Sequence, residues 1–188
     1  MHCILLLVTK VLQKKYIYLI KKVLTKLRYY GILNTWKGKV STMKIWFDMD
    51  GTIADLYSVE NWLPMLINAD TTPYAIAKPM YRMSALAKRL NTLQKQGHEV
   101  GIISWTSKNG TSLYNQAVTE VKKAWLRKHL ASVHFDDIKI VPYGTPKHEV
   151  CKEGILFDDE QYNRDNWNQY ANGKAFLPCE IQPILAMC

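Results

Sequence analysis

The sequence predicts an α/β fold: a three-layer sandwich built on a mainly parallel, Rossmann-like sheet. Two observations carry this. Short apolar runs alternate with stretches of helical periodicity from residue 43 onward, and polar residues capable of chemistry fall repeatedly at the ends of those runs. A third concerns charge. Residues 1–42 contain nine lysines and arginines and no acidic residue, leaving 16 basic residues against 16 acidic ones in 43–188. The net charge of +9 therefore belongs to an N-terminal arm, and the main domain offers no basic balance for gripping a polyanion.

The arm places Val8, Leu12, Tyr16, Leu19, Val23, Leu27 and Tyr30 at helical spacing, with lysines mainly between them. This describes a basic amphipathic helix ending near Gly31, followed by a polar linker to Met43. Three roles stay open for it. It lies upstream of a natural start at Met43, it rests on a membrane surface, or it tethers nucleic acid. Any membrane or nucleic-acid contact is expected only through this arm. The apolar run Ile4–Val8 is too short to span a bilayer, and no small-residue cleavage site follows it. Cys3, Cys151, Cys179 and Cys188 show neither paired spacing nor a histidine at zinc-ligand distance, so free thiols and a cytoplasmic location are expected.

The elements follow in order. KIWFD (44–48) reads as a buried strand, and a helical stretch covers about 57–68. A turn at NADTTP (68–73) and a second helix over about 81–96 come next, with Leu86, Leu90 and Leu93 on one face and Gly97 at its end. Then come a strand at 99–104, a helix at about 114–130, strands at 137–141 and 154–158, a helix at about 161–171 and a short strand at 174–178. The insert of about 56–80 is small and forms at most a helical cap. In open α/β sheets ligands bind beyond the carboxyl ends of the strands. Asp48, Ser104 and Asp158 fall at such ends, and Lys147 lies in the loop YGTPKHEV before the fourth strand.

Carboxylates gathered at one rim repel, and each raises the others' pKa. A divalent cation removes the conflict, and oxygen ligands without His or Cys suit Mg²⁺. A cation beside Lys147 attracts a phosphoryl group, with Ser104 and main-chain N–H groups as further donors.

FDMDGT (47–52), IIS (102–104), Lys147 and LFDD (156–159) resemble, in this order, the four motifs of the haloacid dehalogenase (HAD) superfamily. The resemblance covers about 43–178. It implies that Asp48 is the nucleophile and that Asp50 protonates the leaving oxygen and then activates water. It further implies that Asp48, the main-chain carbonyl of Asp50, and Asp158 hold Mg²⁺, with Asp159 supporting the groups around the metal. The resemblance also implies that Ser104 and Lys147 grip the phosphoryl oxygens. An aspartate at 50 is absent from the superfamily's transport ATPases and dehalogenases, so phosphatase or phosphomutase chemistry is implied. FDMDGTIADLY is similar to the 5′(3′)-deoxyribonucleotidase group, as is the order of KKAWLRKHL (122–130), Lys147 and FDDE. That group carries Thr-Ser-Pro after the second strand where this chain reads SWTSK (104–108), so Thr106 competes with Ser104 for the phosphate.

The function expected is thus Mg²⁺-dependent hydrolysis of a small phosphomonoester, a nucleoside monophosphate first. A 3′-phosphatase on nucleic acid ends and a non-catalytic module anchored by the arm are the alternatives. Asp55 reads first as a cap for the following helix. Trp125 and Trp167 read as core, while Trp105, beside the phosphate site, is a candidate for base stacking. His98, His129, His134 and His148 form no ligand pattern.

Overall fold

The computed structural model describes residues 42–188, and the amphipathic helix expected in the arm lies outside them. The chain divides at residue 42, and residues 42–188 form the second of its two units. The second unit is built on five strands: β1 (Lys44–Phe47), β4 (Glu99–Trp105), β5 (Asp137–Val141), β6 (Glu153–Phe157) and β7 (Asn172–Phe176). They pair in the order β5-β4-β1-β6-β7, and every pairing is parallel. A separate antiparallel pair joins β2 (Ala54–Asp55) to β3 (Lys78–Pro79).

The central position of β1 follows from its composition. A strand flanked on both sides and covered on both faces must be apolar throughout, and Ile45, Trp46 and Phe47 are buried. Phe47 lies level with Ile102 of β4 and Phe157 of β6. One residue further, Asp48 N–H donates to the Phe157 carbonyl at 2.9 Å, and Asp158 N–H to that of Phe176 at 3.2 Å. The register thus brings several chain-distant strand ends to one level.

The helices are α1 (Trp62–Ile67), α2 (Thr72–Ile76), α3 (Met83–Lys95), α4 (Ser112–His129), α5 (Lys147–Val150), α6 (Gln161–Tyr170) and α7 (Ile181–Leu185). Crossovers β1–α3–β4 and β4–α4–β5 step one way along the sheet, while β6–α6–β7 steps the other. Right-handed crossovers then put α3 and α4 on one face and α6 on the other. On the α6 face Trp46, Ile103, Cys151, Leu156 and Trp167 form one cluster. The steps reverse direction beside β1, which makes its carboxyl end the crevice where such sheets bind ligands.

Several expected elements shift. The single helix expected over 57–68 is a 3₁₀ turn at Leu56–Ser58 and then α1, because Asn61 takes a left-handed φ of 57° between them. The turn expected at 68–73 gives way at Thr72 to α2, with Pro73 in its first turn, where a missing N–H costs nothing. The strand expected at 174–178 lies at 172–176. Lys147 is not in a loop but opens the four-residue helix α5. β2, β3, α5 and α7 had no sequence counterpart, being too short to show a period. No helix among the described residues is long and apolar enough to cross a membrane.

Candidate active site

The turn after β1 sets the first two carboxylates. The carbonyl of Met49 accepts from the N–H groups of Thr52, Ile53 and Ala54 at 3.2, 2.9 and 2.8 Å, folding the chain back tightly. Gly51 sits there at φ +70°, and a Cβ on it would lie 2.4 Å from Asp159 Oδ2 and 2.6 Å from the Tyr57 ring. Only glycine fits.

Lys147 is the hub of one half of the site. Its Nζ lies 2.8 Å from Asp48 Oδ1 and 2.7 Å from Asp158 Oδ2, with 2% of the lysine side chain exposed. Burial opposes its charge, but the Asp48 and Asp158 carboxylates outweigh that and hold the ammonium above the ordinary lysine value. Asp158 is further held by the Glu160 N–H at 2.9 Å and by Asn163 Nδ2 at 3.2 Å from each of its oxygens. Arg164 ties down the next peptide, donating to the carbonyls of Asp158 and Asp159 at 2.8 and 2.6 Å.

Lys122 is the hub of the other half. Its Nζ donates to Asp50 Oδ2 at 2.6 Å, to Ser104 Oγ at 3.0 Å and to the Trp105 carbonyl at 2.6 Å. Ser104 is therefore wholly buried and engaged with a lysine. Thr106, two residues on, has a buried Oγ1 with no hydrogen-bond partner among the described residues. A buried hydroxyl left unpaired is costly unless a ligand completes it. Of the two expected phosphate contacts, Thr106 is the one with a hydroxyl to spare.

Asp159 completes the acidic group. One ligand oxygen from each of Asp48, Asp158 and Asp159 lies within 4.8 Å of the others. Burial, with the Asp48 and Asp158 charges adding to it, pushes the Asp159 carboxyl up to about 7. Among the described residues no lysine or arginine pairs with its carboxylate, and the Thr52 hydroxyl lies 3.4 Å from Oδ1. A cluster of hard oxygen donors in mutual repulsion, without His or Cys, fits Mg²⁺.

Other expected roles resolve differently. Asp55 makes no side-chain capping bond to the 3₁₀ turn that follows it; it sits in β2, paired across to Lys78. Trp105 donates its indole N–H to the Thr145 carbonyl at 2.8 Å, and its ring is occupied by Tyr143 and by Lys147, both at 5.0 Å. Trp125 and Trp167 are core, each with its N–H bonded to a main-chain carbonyl. His98 accepts from the Met43 N–H, and His129 and His148 pack on Trp125 and Tyr170. None of the described histidines joins the acidic group.

Lys122, Asn163 and Arg164 had no assigned role in the sequence. The signal for Lys122 was available: it lies on the stripe Val118, Trp125, Leu126, where an apolar residue belongs. Asn163 and Arg164 bind groups three to six residues away, a pattern common at any helix start.

A cleft of about 550 Å³ is lined by Tyr57, Trp62, Leu66, Ser107, Tyr143 and Glu160, among others. Lys108 is its only cation among the lining residues. Another cleft, about 510 Å³, lies at the strands' amino ends, where Lys44 and Lys139 are already ion-paired to Glu153 and Asp137.

No family model matches the chain, and no curated protein matches it. Among solved structures, a D,D-heptose 1,7-bisphosphate phosphatase from Burkholderia thailandensis is similar at 13% identity with a TM-score of 0.44. The match covers 69% of this chain and 74% of that one.

Proposed function

We propose that the chain is a Mg²⁺-dependent phosphomonoester hydrolase of the HAD type, working through an aspartyl-phosphate on Asp48. The observation that carries this is the pairing of two differently held carboxylates on one tight turn. Asp48 faces Lys147, Asp50 faces Lys122, and an unsatisfied Thr106 hydroxyl lies on the same rim.

In the first half-reaction an Asp48 oxygen attacks phosphorus, and the bond from phosphorus to the leaving oxygen breaks as Asp50 hands that oxygen a proton. In the second, Asp50 takes a proton from water, the water oxygen attacks phosphorus, and the bond to Asp48 breaks. Inorganic phosphate leaves and both carboxyls return to their starting forms. Lys147 offsets charge on the nucleophile and the phosphoryl oxygens, while Thr106 donates to the latter. Mg²⁺, when bound, neutralises the phosphoryl charge and the crowded carboxylates. Asp48, Asp159 and the main-chain carbonyl of Asp50 would hold it. Asp158 is better suited to orient Lys147, since its oxygens already accept from Lys147, Asn163 and Glu160. This reverses the parts expected for Asp158 and Asp159.

The substrate class we favour is the nucleoside monophosphate. The cleft is walled by Tyr57, Trp62 and Tyr143, which suits a flat, uncharged leaving group. A single lining lysine suits one phosphate better than two, and the even charge of 43–188 weighs against nucleic acid ends. The test is phosphate release from nucleoside monophosphates, sugar phosphates and 3′-phosphorylated oligonucleotides, with Mg²⁺ and with chelator. Release from a nucleoside monophosphate, abolished by Asp48→Asn, supports the proposal. No release from any ester in Mg²⁺ overturns it.

A further inference from the structure

We infer that Lys122 is the positioning residue of the acid–base step: it clamps one oxygen of Asp50, so that only the other meets the reacting ester. This rests on the hydrolase reading above.

The ammonium has three protons and finds three acceptors: Asp50 Oδ2, Ser104 Oγ and the Trp105 carbonyl. The ring of Tyr74 lies 5.0 Å from Nζ and adds a cation–π contact. Just 1% of the lysine side chain is exposed, against 20% for Asp50. The acceptors and the ring come from the turn after β1, the end of β4 and α2 of the insert, so three separate segments are locked to one atom.

The lysine occupies a place where an apolar side chain would pack more cheaply, since desolvating an ammonium is costly even when it is paired. What the chain gains is a fixed Asp50. With Oδ2 held, Oδ1 is the oxygen left to hand over and take up the proton. The role of Ser104 follows too. It is one leg of the clamp, and its place at the strand end serves Asp50 and not the phosphate.

A purely structural ion pair would make the same contacts, so the test must read the proton transfer itself. For the full chain, kcat/KM is measured on phenyl phosphate, whose leaving oxygen needs a proton, and on 2,4-dinitrophenyl phosphate, whose leaving group departs without one. Wild-type turnover of either ester tests the hydrolase reading separately. With Lys122→Met, the loss on phenyl phosphate is expected to exceed that on the dinitrophenyl ester by about tenfold or more, a part of the roughly 10²–10⁴-fold that general acid catalysis supplies. Lys122→Arg should recover part of that difference. In an Asp50→Asn background, adding Lys122→Met should change neither value by more than about twofold, because residues acting as one unit are not additive. That double variant leaves no buried carboxylate unpaired, so it decides the matter even if Lys122→Met alone does not fold. Equal losses on the two esters, or a further multiplicative loss in the Asp50→Asn background, would overturn the inference.

Discussion

Lys147 Nζ stands 2.8 Å from Asp48 Oδ1, with both side chains more than nine-tenths buried. The same nitrogen reaches Asp158 at 2.7 Å, so one cation serves two carboxylates. Lys147→Met should leave both uncompensated and cost about 3–5 kcal/mol, the range for breaking a buried pair. Urea unfolding would read this. Turnover of an aryl phosphate should fall by about 10²–10³, the usual loss for one transition-state donor.

Asp48→Asn removes the nucleophile and should abolish turnover of every ester, with the far-UV circular dichroism unchanged. Asp50→Asn should lower kcat/KM on a poor leaving group by about 10²–10⁴. An Asp48→Asn protein retaining the wild-type rate would exclude the aspartyl-phosphate route.

The hydroxyls of Ser104 and Thr106 should separate by assay. Thr106→Val removes a buried oxygen that has no partner, so stability should hold or rise slightly while kcat/KM falls about tenfold or more. Ser104→Ala takes an acceptor from a buried ammonium and should cost about 1–3 kcal/mol of stability. If Ser104→Ala proved the weaker phosphate binder and Thr106→Val the less stable protein, the assignment would be reversed.

Removal of metal should be felt by the fold as well as by the rate. Burial pushes Asp159 up to about 7 with the Asp48 and Asp158 charges adding to it, and a cation would relieve that crowding. Adding Mg²⁺ to chelator-treated protein should raise Tm, and Asp159→Asn should shrink that rise. Zn²⁺ should substitute poorly, for want of His or Cys among the ligands. A Tm unmoved by Mg²⁺ in the wild type would count against the acidic cluster as a metal site.

His98 accepts the Met43 N–H on Nδ1 at 3.2 Å, where the chain enters β1. Burial, helped by Arg89, holds its pKa below the ordinary value of 6.5. The unfolded chain therefore takes up the proton first as pH falls. The stabilisation is fully present above about 6.5 and is lost as pH drops from there toward the folded-state value. Comparing wild type with His98→Gln in urea at pH 7.5 and pH 5 should show a difference that narrows in acid.

Local pattern carried the α/β alternation and the strand ends near Asp48, Ser104 and Asp158, because apolar runs and their polar terminators are written in consecutive residues, while Asp50, Lys147 and Asp159 were candidates through the family resemblance. It did not carry the break at Asn61 or the four-residue helix at Lys147, where a left-handed φ and a stretch shorter than one helical period leave no signal. Nor did it assign partners. That Lys122 belongs to Asp50 across 72 positions, that Ser104 serves that lysine while the buried Thr106 hydroxyl has no partner, and that Asp159 lacks the cation Asp158 enjoys were decided by packing alone. Residue type sets what a side chain can donate or accept. Which donor meets which acceptor depends on strand register and on the helix that crosses above it, and those exist only in the folded chain.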